Sequence, residues 1–206
     1  VTGGSANSNT VTITNGALAT GGTATDVYGG YAGTGSANAN IVQITGNTFS
    51  GGTIAGGYGG SGASNNTVDI DSGGTFTNVY GGYTKSGAAT GNTVNLTMGT
   101  YRGIIAGGYS ESGTATGNTV NIFENAILNS GALLYGGFSG DGQNSRTGNI
   151  LNLGTPITVR GLDNFDQYNF FLAPDFAAGD TMITVTDGNG ADGVIHLKDA
   201  EVTIDF

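Results

Sequence analysis

Apolar and polar residues alternate with a period of two in a short segment that recurs along this chain. Six copies begin with Asn and read NTVTI, NIVQI, NTVDI, NTVNL, NTVNI and NILNL. Such alternation is typical of a β-strand with one buried face. Two buried columns are predicted, namely Val11, Val42, Val68, Val94, Val120, Leu151 and Ile13, Ile44, Ile70, Leu96, Ile122, Leu153. The polar column between them is Thr12, Gln43, Asp69, Asn95, Asn121 and Asn152.

A second repeated unit, an apolar residue followed by Gly-Gly and an aromatic ring, alternates with the first. Its copies are VYGGY, IAGGY, VYGGY, IAGGY and LYGGF, which begin at Val27, Ile54, Val79, Ile105 and Leu134. A third, weaker unit includes NTFSGGT, GTFTN and GTYRGI. Each repeat of about 26 residues therefore contains up to three short strands joined by Gly, Ser, Asn and Thr turns.

The repeat length and composition favour one architecture. No segment has the 3.6-residue apolar period of a helix, and a propeller blade needs a longer, four-stranded repeat. We therefore predict an all-β, right-handed parallel β-helix, a solenoid with about 26 residues per coil, over residues 1–154. Residues 155–206 depart from the repeat and contain both prolines, so they are predicted to be a C-terminal β cap or transition segment of the same solenoid.

Asparagine opens every strand of the first unit, where the chain must bend sharply. Because Asn tolerates the left-handed region and bonds to the backbone, we expect it at the corner itself. Stacked one coil apart, the amides are expected to form a hydrogen-bonded ladder. The predicted ladder contains Asn9, Asn40, Asn66, Asn92, Asn118 and Asn149.

Aromatic residues form two columns around the Gly-Gly pair. The residues after Gly-Gly are expected to stack along the axis, mainly as packing, and are Tyr31, Tyr58, Tyr83, Tyr109 and Phe138. The residues before Gly-Gly alternate between large and small, with Tyr28, Tyr80 and Tyr135 separated by Ala55 and Ala106. If the preceding Val or Ile points inward, these three tyrosines point outward. They are either packing under the loops or a candidate binding stripe for a sugar chain or a partner protein.

Composition limits the classes of partner. The 206 residues include 41 Gly and no Cys, and the formal charge is −10, with five scattered Lys or Arg. Nucleic-acid binding needs clustered cations, so no nucleic acid is expected as a partner. No apolar run reaches the roughly 18 residues of a membrane-spanning helix, so this segment is not expected to be membrane-embedded. No cofactor is indicated.

Chemistry-bearing residues are sparse. Asp69 and Asp71 share one strand face, as paired carboxylates of a glycosidase would, but the neighbouring coils offer no further acid or cation there, so a solvated polar face is the favoured interpretation. His196 has no nearby nucleophile that the sequence can nominate. Asp187, Asn189 and Asp192 in DGNGADG form a weak calcium candidate, because Asp-Gly and Asn-Gly are also ordinary turn residues. We expect no catalysis and no metal.

The repeats, such as IAGGYSESGTATGNTVNI, and the later segment LDNFDQYNFFLAPDFAAGDTMITVTD together resemble the passenger regions of large bacterial autotransporters, which are secreted by the type V route. The resemblance covers nearly the whole chain. It implies a secreted, surface-exposed β-helix stalk, usually adhesive, that is held at the bacterial outer membrane by a β-barrel translocator. The chain contains no such barrel sequence. The implied partner is a protein or glycan on a host or bacterial cell.

Two other functions remain open from the sequence. A self-assembling extracellular filament or matrix protein would join its coils end to end, since an exposed coil edge can template further pairing. A polysaccharide-binding or polysaccharide-cleaving β-helix is the third possibility. The main expectation is a non-catalytic adhesin or stalk segment on the bacterial cell surface.

Overall fold

The computed structural model describes residues 3–14, 25–46, 51–186 and 201–205, and no helix occurs within these ranges. The all-β prediction is therefore confirmed. The strands, in chain order, are Thr10–Thr14, Thr25–Ala32, Ile41–Gly46, Gly51–Gly59, Ala63–Ser64, Thr67–Thr84, Ala89–Thr90, Thr93–Tyr101, Ile104–Ser110, Thr119–Leu128, Leu133–Ser139, Ile150–Leu153, Ile157–Val159, Gly161–Asp163, Gln167–Phe171, Ile183–Val185 and Glu201–Asp205.

Equivalent strands of successive coils pair in parallel and in the predicted register. Val42 lies opposite Val11 on one side and Val68 on the other, and the same column continues through Val94 and Val120. The main-chain hydrogen bonds of a parallel ladder run between coils, so they lie along the long axis of the stack. The predicted parallel β-solenoid, with about 26 residues per coil, is confirmed.

Each complete coil has three faces. The asparagine face contains the strands that begin after the ladder asparagines, and the glycine face contains the strands with Gly-Gly. A third face joins them, where Thr75 and Phe76 pair with Thr100 and Tyr101 of the next coil. In one coil, the single strand Thr67–Thr84 runs through all three faces, because the chain bends without losing its ladder pairing.

Aliphatic and aromatic side chains fill the interior, as the alternation predicts. Ile44, Ile70 and Ile122 are at most 1% exposed and belong to one continuous core. On the third face, the buried rings of Phe76 and Tyr101 stack with centroids 5.3 Å apart. The Tyr101 hydroxyl donates a 2.8 Å hydrogen bond to the Met98 carbonyl, which satisfies this buried polar group within its own coil.

A ladder of asparagine amides also runs through the interior. Asn66 donates from both its backbone N and its Nδ2 to Oδ1 of Asn92, at 3.0 Å each, and from Nδ2 to the Ala37 carbonyl at 2.9 Å. The same pattern repeats at every coil from Asn40 to Asn118. Five members are 0% exposed, namely Asn40, Asn66, Asn92, Asn118 and Asn149. Asn9 is exposed and donates to Asn40 Oδ1 at 2.7 Å.

The expectation that these asparagines adopt the left-handed conformation themselves is wrong. The residue before each of them does so, and Ala39, Asn65 and Gly91 have φ of 54°, 57° and 66°. This preceding residue turns the corner, and the ladder asparagine lies outside the left-handed region with its side chain buried in the solenoid. Burial of the amide, rather than turn geometry, therefore explains the choice of Asn.

The Gly-Gly pair is the packing partner of this ladder. A Cβ placed on Gly82 would lie 2.6 Å from both Nδ2 and Oδ1 of Asn92, and one on Gly81 would lie 2.9 Å from the Asn92 Cβ. Any side chain here would collide with the amide, so only glycine, which has no Cβ, fits opposite the asparagine ladder. The same contact recurs for the pairs Gly30 and Asn40, Gly57 and Asn66, Gly108 and Asn118, and Gly137 and Asn149.

Beyond Gly154 the solenoid continues with altered coils. Gly161–Asp163 pairs in parallel with Leu133–Ser139, Gln167–Phe171 pairs with Ile150–Leu153, and Ile183–Val185 pairs with Ile157–Val159. These strands add further parallel rungs to the coils below them. The terminal cap over residues 155–206 stays a prediction, because residues 187–200, which include His196, lie outside the described ranges.

The first of these altered coils loses glycine and asparagine together. Asn164 and Phe165 take the positions of Gly-Gly, and Asp166 takes the position of the ladder asparagine. Phe165 is 0% exposed and packs on Tyr168 with centroids 5.6 Å apart. Asp166 instead lies 3.9 Å from the Arg146 guanidinium, at the partly exposed end of the ladder. In this coil, a large side chain at the Gly-Gly position of the glycine face therefore accompanies the loss of the buried amide on the asparagine face.

We predict that Gly82→Ala destabilises the protein by about 1 to 3 kcal/mol, because the added methyl overpacks the Asn92 amide. Chemical denaturation measures the free energy of unfolding. Gly131→Ala is the matched control, since a Cβ there would meet nothing closer than 3.5 Å and should change stability by no more than about 0.5 kcal/mol. Equal effects of the two substitutions would show that the glycine is not a packing requirement.

We predict that Asn92→Ala costs about 3 to 5 kcal/mol, because two buried donors of Asn66 and the Ala63 carbonyl lose their partner. Asn95→Ala, three residues later on the solvent side of the same strand, should cost about 1 kcal/mol or less, since water replaces its hydrogen bonds. Thermal or denaturant unfolding of the two variants compares them directly. A similar loss at both positions would contradict the role of the buried ladder.

Candidate functional site

The glycine face carries a stacked column of aromatic rings on its outer surface. Tyr31, Tyr58, Tyr83, Tyr109 and Phe138 follow one another with centroids 4.6–5.0 Å apart and interplanar angles of 5–17°. The parallel register places equivalent residues directly above one another, so the spacing of the rings is the spacing of the coils. The predicted aromatic stack is confirmed, and we call these five residues the aromatic ladder.

The predicted binding stripe lies beside this ladder and is largely covered. Tyr80 and Tyr135 are only 6% and 7% exposed, which favours the packing interpretation of this column over the binding stripe. Tyr28 is only partly exposed. Tyr80 packs edge-on against Tyr83 and Tyr109, at 5.3 and 5.2 Å between centroids.

The alternation of Tyr and Ala in this column now has a packing explanation. Tyr28 and Tyr80 contact rings of the next coil, where Ala55 and Ala106 occupy the equivalent positions and leave room. Tyr28 contacts both Tyr31 and Tyr58, and Tyr135 contacts Phe138. The accessible aromatic surface is therefore the ladder after Gly-Gly, and the stripe before it is its support.

Two adjacent glycines allow both tyrosine columns to share the outer surface. In a regular strand, residues three apart such as Tyr28 and Tyr31 point to opposite faces. Here a Cβ on either Gly29 or Gly30 would meet Asn40, so two consecutive positions face the interior and the alternation shifts by one residue. Val27 and Ala32 accordingly remain buried on the two sides of the tyrosines.

Carboxylates contact the hydroxyl ends of this surface. The Tyr28 hydroxyl donates to Asp26 Oδ2 at 3.2 Å, and the Tyr83 hydroxyl donates to Glu111 Oε1. Asp26 also accepts a 2.7 Å hydrogen bond from the Thr53 backbone N, which holds the carboxylate across the coil boundary. Sequence reasoning missed both acids. The available signal was their position, because Asp26 directly precedes one Gly-Gly unit and Glu111 follows another by two residues.

Burial and these contacts raise the pKa of the tyrosines. Burial, followed by the charge and hydrogen bond of Asp26, raises the pKa of Tyr28 from 10.0 to about 12. Burial, followed by the hydrogen bond to Glu111, raises the pKa of Tyr83 well above its ordinary value. The charge of Glu111 also contributes to raising the pKa of Tyr58 and of Tyr109, after burial. The surface thus presents tyrosine hydroxyls that donate to the neighbouring carboxylates.

A second amide ladder lies on the outer side of the asparagine face. Asn169 Nδ2 donates to Asn152 at 2.7 Å, Asn152 donates to Asn121 at 2.6 Å, and Asn121 donates to Asn95. Asn95 Nδ2 then donates to Asp69 Oδ1, so one member of the candidate acid pair ends this ladder. Its amides donate toward lower residue numbers, whereas those of the buried ladder donate toward higher ones. Asp71 is exposed beside a register shift at the edge of the same face.

The remaining candidate residues are those of the predicted calcium site. Asp187, Asn189 and Asp192, the calcium candidate, lie outside the described residues. Within the described ranges, no group of three or more His, Cys, Asp or Glu side chains lies close enough to hold a metal ion. None of the described residues belongs to a helix long and apolar enough to cross a membrane.

Comparisons with known proteins give no family. No protein-family model matches the chain, and no curated protein or solved structure was found to match it.

We predict that the contribution of Tyr28 to stability is lost at high pH. Its pKa is 10.0 in the unfolded chain and about 12 in the folded protein, so this contribution is complete below pH 10 and disappears as the pH rises toward 12. Difference absorbance of the phenolate between the wild type and Tyr28→Phe measures the titration. Asp26→Asn should move the titration toward 10. A Tyr28 that ionises at its ordinary pKa would contradict the burial and the Asp26 contact.

Proposed function

We propose that this chain is a non-catalytic stalk segment of a bacterial cell-surface adhesin, of the kind found in autotransporter passengers. The observation that carries the proposal is the aromatic ladder, a continuous surface of five stacked rings along the axis of a repetitive solenoid. Aromatic residues are enriched in the centres of protein interfaces, and an ordered row of them on a rigid scaffold suits adhesion. The resemblance of the repeats to autotransporter passengers supports the same function.

The bonding along the axis suits a stalk. Main-chain ladders, the buried asparagine ladder and the outer amide ladder all connect one coil to the next. Each coil adds about 4.8 Å of length, and a further repeat lengthens the rod without changing its cross-section. Such a segment holds a binding surface away from the membrane that anchors it.

A protein partner is favoured over a glycan. A sugar ring packs against the face of an aromatic ring, but the faces of Tyr58, Tyr83 and Tyr109 are occupied by their neighbours in the ladder. These rings offer edges and hydroxyl groups to a partner. Edges and hydroxyls suit the mixed apolar and hydrogen-bonding contacts of a protein interface, where Tyr is a frequent anchor.

Beads coated with the purified chain test the proposal on cultured epithelial cells and on bacterial cells. We expect adhesion well above that of albumin-coated beads, reduced at least tenfold by Tyr58→Ser with Tyr83→Ser. The matched control is Asn95→Ser with Asn121→Ser on the asparagine face, which should adhere like the wild type. Circular dichroism verifies that each variant is folded.

Treatment of the cells separates the partners. Protease treatment should abolish adhesion, and glycosidase treatment should leave it intact. Beads that do not adhere to either cell type would overturn the adhesive function. Adhesion that survives the tyrosine substitutions would place the binding surface elsewhere on the rod.

A further inference from the structure

Both carboxylates beside the aromatic ladder have hydroxyl partners, and within the described ranges neither of them forms an ion pair. Asp26 and Glu111 are exposed, and each accepts a hydrogen bond from a tyrosine hydroxyl. Among the described residues, the recorded ion pair is that of Arg146 with Asp166, far along the chain from these acids. The negative charge at this surface is therefore compensated only in part by protein groups.

Two cations lie near the surface without pairing with these acids. Lys85 occupies the position equivalent to Glu111 one coil earlier, because Thr84 pairs with Ser110. Arg160 lies at the far end, where it partly offsets the rise in the pKa of Tyr135 caused by burial and by Asp163. Asp26 and Glu111 outnumber Lys85 on this surface, so its formal charge is net negative.

We propose that the aromatic ladder docks an extended, basic segment of a partner protein, with its Lys or Arg side chains directed to Asp26 and Glu111. Charge complementarity identifies the occupant. Apolar parts of long basic side chains cover the tyrosine edges, while the cationic ends reach the carboxylates. The inference deepens the proposed adhesive function, on which it rests, by naming the chemistry of the partner.

The distance between the two carboxylates determines how far apart the Lys or Arg residues of the partner segment must be. The hydroxyls that hold the two carboxylates belong to Tyr28 and Tyr83, which are two coils apart, or about 10 Å along the axis. The lateral offset between the tyrosine columns increases this separation. An extended chain advances about 3.3 Å per residue and repeats a side-chain direction every second residue. A segment with basic residues at alternate positions offers pairs of cations about 7 or 13 Å apart, a range that includes this separation.

A labelled synthetic peptide of alternating Arg and Thr tests the inference by fluorescence anisotropy, with a peptide of alternating Glu and Thr as the negative probe. The Arg peptide should bind, and the affinity should fall at least tenfold when the salt concentration rises from about 0.01 to about 0.15 M, since the screening length shortens from roughly 30 to 8 Å. The Glu peptide should not bind. Failure of the Arg peptide to bind at low salt would overturn the inference.

Matched charge variants separate this surface from the overall acidity of the chain. Asp26→Asn with Glu111→Gln removes two charges at the ladder and should weaken binding about tenfold. Asp69→Asn with Asp71→Asn removes two charges on the asparagine face and should change it by less than about twofold. Lys85→Gln, which removes the cation beside Glu111, should strengthen binding. Equal weakening by the two acidic double variants would show non-specific attraction and overturn the inference.

A negative result in the peptide experiment and a negative result in the bead experiment refute different proposals. Peptide binding in solution requires no cell, so beads that do not adhere refute the adhesive function while leaving the basic-segment site standing. Beads that adhere through Tyr58 and Tyr83, combined with a peptide that does not bind, refute the basic segment alone.

Discussion

The contact between a buried asparagine amide and a pair of glycines is the constraint on which the rest of this solenoid depends. A primary amide in an apolar interior is unfavourable unless all of its groups are hydrogen-bonded. Stacking at the coil spacing meets this demand, because each amide accepts from the coil before it and donates to the coil after it. The ladder occupies volume that the facing strand must leave empty, as the contact between Gly82 and Asn92 illustrates. The two most frequent motifs of the sequence are thus the two sides of one contact.

The same constraint creates the outer surface. Because both glycines of a pair face the ladder, the strand loses its regular alternation there, and the aromatic residues on either side emerge on one surface. One column, which includes Tyr80, becomes a buried support, and the other becomes the accessible ladder. A requirement of the interior therefore generates an ordered aromatic surface once per coil. A binding function at this surface would need no additional structural element, since the same repeat provides both the core and the interface.

The coil after Gly154 supports this interpretation from within the chain. Where Gly-Gly gives way to Asn164 and Phe165, the ladder asparagine is also replaced, and Phe165 fills the vacated interior. Asp166 turns toward Arg146 at the partly exposed end. A buried aromatic side chain and a buried amide would occupy the same volume, so the asparagine ladder ends at the coil that contains Phe165. Acids that contact the tyrosines, such as Glu111, lie outside the repeated motifs and distinguish one coil from the next.

Sequence periodicity predicts the all-β class, the coil of about 26 residues, the buried columns and the stacking of the residues after Gly-Gly, because residues one period apart become neighbours in adjacent coils. It placed Asn92 and its equivalents in a ladder but assigned them the wrong backbone conformation, since the turn belongs to the preceding residue, such as Gly91. Only the tertiary structure decided which tyrosine column is accessible and that Glu111 reaches Tyr83. The physical reason is that period-two reasoning treats a strand as regular. The shift at Gly-Gly depends on what packs against it from the opposite face of the coil.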